Sequence, residues 1–125
     1  MAGETSPNPL GSLGDGVRRL FAVLLAITEA RGGFVLIDDI DTGLHHSVMR
    51  GMWQLVVKAA ERLDIQVFAT THSSDCWQAL GWLCATDPEI AKQVSVHRLE
   101  RGLEHTVGYS PEELATAALQ NMDIR

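Results

Sequence analysis

Two apolar runs separated by a helix-length segment restrict the fold more than any other feature. "FVLID", Phe34–Asp38, has no polar alternation. "IQVFATTH" carries the second run, a strand at about Gln66–Thr70. A sheet with one wet face alternates apolar and polar residues, so a continuous run reads as a strand covered on both faces. Between the runs, residues 47–63 place Val48, Met52, Leu55, Val56, Ala59 and Leu63 along one side of a helix. Strand, helix and strand in this order imply a parallel α/β core.

Further elements flank that unit. Val17, Leu20, Phe21, Leu24 and Ile27 fall at helical spacing, and Gly32 or Gly33 can end that helix in the left-handed conformation. Ser73 or Ser74 can cap a third helix carrying Trp77, Leu80 and Leu83. Residues 94–109 read as a hairpin turning near Arg101 and Gly102. Ser110, Pro111 and Glu113 form a capping-box pattern that opens a short helix to about Asn121. The expected organisation is a lead-in at 1–11 and a single α/β domain at 12–125, with no internal repeat.

Composition narrows the function classes. A chain of 125 residues is about one domain's worth. Sixteen acids against ten bases give a net charge of −6, which argues against direct nucleic-acid binding through a broad basic face. No apolar run reaches the ~18 residues of a membrane-spanning helix. "MAGETSPNPLGS" lacks the apolar core of a secretory signal. Cys76 and Cys84 stand eight residues apart on one predicted helix, a rise of ~12 Å. That is too far for a disulfide, so a reducing, cytoplasmic setting is expected.

The chemistry gathers at the strand ends. The first strand runs into Asp38, Asp39 and Asp41; the second runs into Thr70, Thr71, His72 and Ser73. Open α/β sheets bind ligands outside the carboxyl ends of their strands. Neighbouring strands would put the acids and His72 on one rim. Carboxylates there suit Mg²⁺, which takes one or two of them together with phosphate oxygens and water. A second carboxylate can orient or deprotonate a water. Upstream, "SLGDG" at 12–16 sets small residues before a helix, an anion site or a plain cap. His45 and His46 read as polar residues opening a helix; a zinc site built from them, His72 and the acids matches no strong spacing. Arg18 and Arg19 either reach a partner's phosphate or form a solvated helix face. Trp53, Trp77 and Trp82 read as core or interface, and the two cysteines as buried thiols.

In this order and spacing the pieces resemble the C-terminal half of an ABC-type ATPase head, closest to the RecF-like and OLD-like bacterial AAA-type ATPases. "SLGDG" resembles the signature motif, with Ser12, Gly14, Asp15 and Gly16 toward nucleotide. "FVLIDDID" resembles Walker B, with Asp38 as the Mg²⁺-organising acid and Asp39 where the family has its catalytic Glu. "DTGLHH" resembles the D-loop and puts Asp41 beside nucleotide, and "FATTHSSD" resembles the switch loop, with His72 as the γ-phosphate sensor. The resemblance implies a partial P-loop-NTPase-like, three-layer fold with a parallel core sheet, a C-terminal hairpin and a helix. It also implies Mg²⁺ and ATP as cofactors.

The sequence departs from that family in two ways. Asp39 is one methylene shorter than Glu. The P-loop pattern G-x-x-x-x-G-K-[ST] is absent, and neither Lys58 nor Lys92 follows a glycine loop. The expected partner is therefore a P-loop-bearing chain or a second copy. The strand at 66–70 is expected to have an edge that the chain's own hairpin or a second copy fills. Two other functions fit parts of the pattern. One is a non-catalytic dimerising module derived from an ATPase. The other is a Toprim-like metal-dependent phosphodiester hydrolase, for which Asp39-Ile40-Asp41 supplies the D-x-D and only Glu4 or Glu29 could supply the upstream acid.

Overall fold

A computed structural model describes residues 14–99 and 107–120. Ser12, the 1–11 lead-in, the turn near Arg101 and the end of the last helix at Asn121 lie outside the described residues. The described elements run α1 (Asp15–Glu29), β1 (Phe34–Ile37), α2 (Met49–Leu63), β2 (Gln66–Ala69), α3 (Ser74–Thr86), α4 (Pro88–Ala91), β3 (Val96–Arg98), β4 (Val107–Tyr109) and α5 (Pro111–Leu119). This is the α/β class expected from the two apolar runs.

Strands β1 and β2 are parallel neighbours, with Phe34 opposite Gln66, Leu36 opposite Phe68 and Ile37 opposite Ala69. The chain enters β1 through Gly32, whose φ of 79° follows the end of α1, and it leaves α2 through Asp64 in the same left-handed region, at φ 56°. Backbone pairing continues past both strands: the Thr70 N–H donates to the Ile37 oxygen at 2.9 Å, and the Ile40 N–H to the Thr70 oxygen at 3.0 Å. The two polar strand ends are thus stitched together.

One buried cluster unites Val23 and Ile27 of α1, Ile37 of β1, Met52, Trp53 and Val56 of α2, Leu80 and Leu83 of α3, and Leu114 of α5. On α2 the buried residues include Met49 and Trp53, while Val48 and Leu55, expected on that face, are exposed. On α1 Val17 and Phe21 are likewise exposed. Helix α3 crosses α5 so closely that a Cβ at Gly81 would stand 2.7 Å from the Leu114 oxygen. Helix α5 opens with the expected capping box: Ser110 Oγ accepts from the Glu113 N–H, and the Glu113 carboxylate accepts from the Ser110 N–H.

Two expectations are corrected. Among the described residues the apolar strands are covered on one face only. Phe34 and Leu36 are 63% and 70% exposed, and Phe68 beside them is half exposed. With helices packed on the Ile37 side, no described residue covers the other. The C-terminal hairpin does not fill the edge of β2: β3 and β4 form their own antiparallel sheet.

Candidate functional site

The site begins with how β1 stops. Asp39 follows the strand at φ 50°, a left-handed conformation that strains a residue with a Cβ. Its neighbours hold it there. The Asp39 N–H donates to Thr70 Oγ1 at 2.9 Å. Its carbonyl oxygen accepts from the Thr42 N–H at 3.0 Å and from Thr42 Oγ1 at 2.8 Å. The turn also reverses the chain, so the acids are set on the rim formed by the carboxyl ends of β1 and β2.

Register then decides which side chain each acid meets. Thr70 lies across from Asp38 and donates its hydroxyl to Asp38 Oδ1 at 2.5 Å. Thr71 donates to Asp41 Oδ1 at 2.5 Å and accepts from the Ser73 N–H at 3.0 Å. His72 stands at the rim with its ring 92% exposed, and its Nε2 lies 3.8 Å from Asp39 Oδ1. That distance is an electrostatic approach and not a hydrogen bond. Asp38, Asp39 and His72 therefore share one exposed rim. Asp41 is turned toward the start of α3, where its charge and burial together raise the Cys76 thiol, burial being the larger cause.

The start of α1 meets the same turn. Gly14 caps the helix at φ 96°, which favours glycine. Gly16 lies against Gly43: a Cβ on Gly16 would fall 2.4 Å from the Gly43 oxygen. Asp15 is the first residue of the helix. Arg19, one turn on, donates through Nη2 to the main-chain oxygens of both Asp38 and Asp39. It is therefore no solvated face residue. Sequence reasoning missed its role and those of Thr70 and Thr71; only the "TTH" at the second strand end hinted at the latter.

The remaining candidates separate from the rim. His45 Nδ1 accepts from the Ser47 N–H at 3.2 Å and opens a short 3₁₀ turn, as its position before a helix suggested. Among the described residues no group of three or more His, Cys, Asp or Glu side chains could hold a metal ion, so the zinc alternative finds no site. The rim offers two carboxylates, Asp38 and Asp39; Mg²⁺ there would need its remaining oxygens from phosphate and water. Glu29 lies in the last turn of α1 and not at a strand end. Cys76 and Cys84 are buried free thiols, and Trp53 Nε1 donates to the Cys76 carbonyl at 2.9 Å. No described helix is long and apolar enough to cross a membrane.

The family described as "AAA domain, putative AbiEii toxin, Type IV TA system" matches residues 3–75, from before α1 to the start of α3. The chain belongs to this AAA family. The match spans β1, β2 and the rim residues Asp38, Asp39 and His72. An "ATP/GTP phosphatase" of Helicobacter pylori is 24% identical over 102 residues, which are 79% of this chain and 27% of that protein. An uncharacterised protein of Methanocaldococcus jannaschii is 30% identical over 61 residues, 49% of this chain and 54% of that protein. The chain thus spans about a quarter of the first relative and half of the second. No solved structure matches it significantly.

Proposed function

We propose that this AAA-family chain is the signature, Walker B and switch half of an ABC-type, RecF-like or OLD-like ATPase head. It acts on Mg²⁺·ATP only when polypeptide bearing a P-loop, absent from this sequence, completes the site. The observation that carries the reading is the rim. Two carboxylates, Asp38 and Asp39, end one apolar strand, and His72 ends its parallel neighbour 3.8 Å from Asp39.

In this reading Asp38 is the Mg²⁺ acid. Its carboxylate is exposed and aligned by the Thr70 hydroxyl. Bound Mg²⁺ would neutralise phosphate charge and fix the phosphate oxygens. Asp39 is the base toward water, at shorter reach than a Glu. His72 is exposed enough to bond a phosphate oxygen. Ser12, Gly14, Asp15 and Gly16 face nucleotide held on a second head, and Asp41 anchors the D-loop beside it. Support comes from the family match, which covers these residues, and from the bare sheet face of Phe34, Leu36 and Phe68, which further polypeptide would cover.

A second reading, a non-catalytic module that dimerises, draws on that same exposed face. Titration calorimetry with Mg²⁺·ATP separates the two. The chain alone should give no heat of binding. Mixed with polypeptide carrying the G-x-x-x-x-G-K-[ST] loop it should bind and hydrolyse ATP, and Asp39→Asn should slow hydrolysis about 10²–10⁴-fold. Tight binding by the chain alone, lost in Asp38→Ala, would refute the need for a P-loop. Parental hydrolysis in Asp39→Asn would refute the role of the rim.

A further inference from the structure

Three acids within four positions repel one another, and one of them occupies a left-handed conformation. Something must offset both costs. The turn's own bonds and Thr70 account for part. The remaining contact comes from another element. Arg19 of α1 donates a single terminal nitrogen, Nη2, to the adjacent main-chain oxygens of Asp38 and Asp39, the latter at 3.2 Å. Its Nε is buried and has no hydrogen-bond partner among the described residues. Arg19 as a whole is half-buried, so burying its Nε without a partner is a cost that the two carbonyl contacts offset.

We infer that Arg19 is a positioning residue: its guanidinium pins the two carbonyls that orient the Asp38 and Asp39 carboxylates, and so joins α1 to the catalytic rim as one rigid unit. The geometry stands by itself; its consequence for ATP rests on the function proposed above. Two contacts make the joint. Arg19 holds the peptide planes on either side of Asp39, and one turn earlier the Gly16 backbone lies against Gly43. Gly14–Gly16 and the acids then move together. A displacement of α1 by nucleotide on a second head would reach the acids through the Arg19 side chain and the Gly16–Gly43 backbone contact. A lysine would keep only part of the clamp: its ammonium is a more strongly hydrated point charge, whereas the rigid guanidinium holds Nη2 against both oxygens.

The test is amide hydrogen exchange followed by NMR on the nucleotide-free chain, in Arg19→Met and Arg19→Lys. The Thr42 N–H bonds the Asp39 oxygen, so it reports the turn. Amides of α3, such as that of Leu83, report the core. Losing charge-assisted bonds at the turn should speed Thr42 exchange by about tenfold or more in Arg19→Met. Arg19→Lys should fall between that variant and the parent, and Leu83 should stay within about twofold. A merely structural arginine would speed Thr42 and Leu83 alike, and that outcome overturns the inference. Unchanged Thr42 exchange overturns it as well. If Arg19→Met does not fold, Arg19→Lys against the parent decides on the same two amides. No nucleotide enters the measurement, so a failed ATPase reading and a failed clamp give separate results.

Discussion

Two glycines in first helical turns should respond to the same substitution with opposite signs. Gly16 is the second residue of α1, and Gly51 the third of α2. Alanine in a helix ordinarily gains about 0.5–1 kcal/mol over glycine, because glycine loses more backbone freedom on folding. At Gly51 nothing lies within 4 Å of an added Cβ, so that gain should appear in full. At Gly16 the added Cβ would stand 2.4 Å from the Gly43 oxygen. That oxygen is backbone and has no rotamer to retreat into. Either the 41–44 turn moves or α1 does, at the ~1–3 kcal/mol typical of overpacking. Net of the helical gain, Gly16→Ala should lose up to about 2.5 kcal/mol, with a midpoint a little above ~1 kcal/mol. At ~4 °C per kcal/mol the melting temperature should fall by about 5 °C for Gly16→Ala and rise by about 2–4 °C for Gly51→Ala. Urea unfolding followed by tryptophan fluorescence, with calorimetric melting alongside, reads both. If Gly16→Ala stabilises the chain as Gly51→Ala does, the close approach of α1 to the turn is not present, and the rigid coupling of helix to rim fails with it.

Two further outcomes follow from the rim and the core. Thr70→Val removes the acceptor for the Asp39 N–H and the donor to Asp38, and should lose ~1 kcal/mol after allowance for solvent at this exposed site. Thr70→Ser keeps the hydroxyl and should stay within ~0.5 kcal/mol, so equal losses in urea unfolding would refute the hydroxyl's role. Burial pushes the Cys76 thiol up from 9.0 to about 11. A raised folded value favours the neutral thiol, so its contribution is complete below pH 9.0 and is lost as pH rises toward about 11. Between these limits the parent's stability should fall more steeply with pH than that of Cys76→Ala, and parallel slopes would sink the claim.

The parallel core was readable because both of its signals are local. Continuous apolar runs marked β1 and β2, and a helical period marked α2 between them. The capping box at Ser110 was equally local. What failed depended on facing. Residues 20–27, "LFAVLLAI", are apolar almost all the way round, so periodicity picked out Ile27, which is buried, but could not choose Val23 over Val17 and Phe21 to share its side. The acids and His72 stood out because unpaired charge after an apolar strand needs a reason. Thr70 and Arg19 did not, because their roles arise only from register: pairing Ile37 with Ala69 sets Thr70 beside Asp38, and packing α1 on β1 brings Arg19 over the turn.

The bare sheet face connects these strands of argument. Phe34, Leu36 and Phe68 are half or more exposed on one surface, with Phe34 and Phe68 in edge-to-face contact at 6.3 Å between ring centroids. Fully burying each such side chain is worth about 1.5–3 kcal/mol. Covering the face would therefore release several kcal/mol, comparable to the whole stability of many domains. A continuous apolar run is the pattern of a doubly covered strand, and among the described residues this face has no cover. Anything seated there would rest on the strands whose carboxyl ends carry Asp38, Asp39 and His72. A P-loop-bearing polypeptide seated there would gain its binding energy from the face and deliver its phosphate to the rim in one event. A second copy of this chain would gain the same apolar burial and bring no P-loop. Association alone therefore does not separate the two readings. Nucleotide binding that depends on both association and Asp38 does.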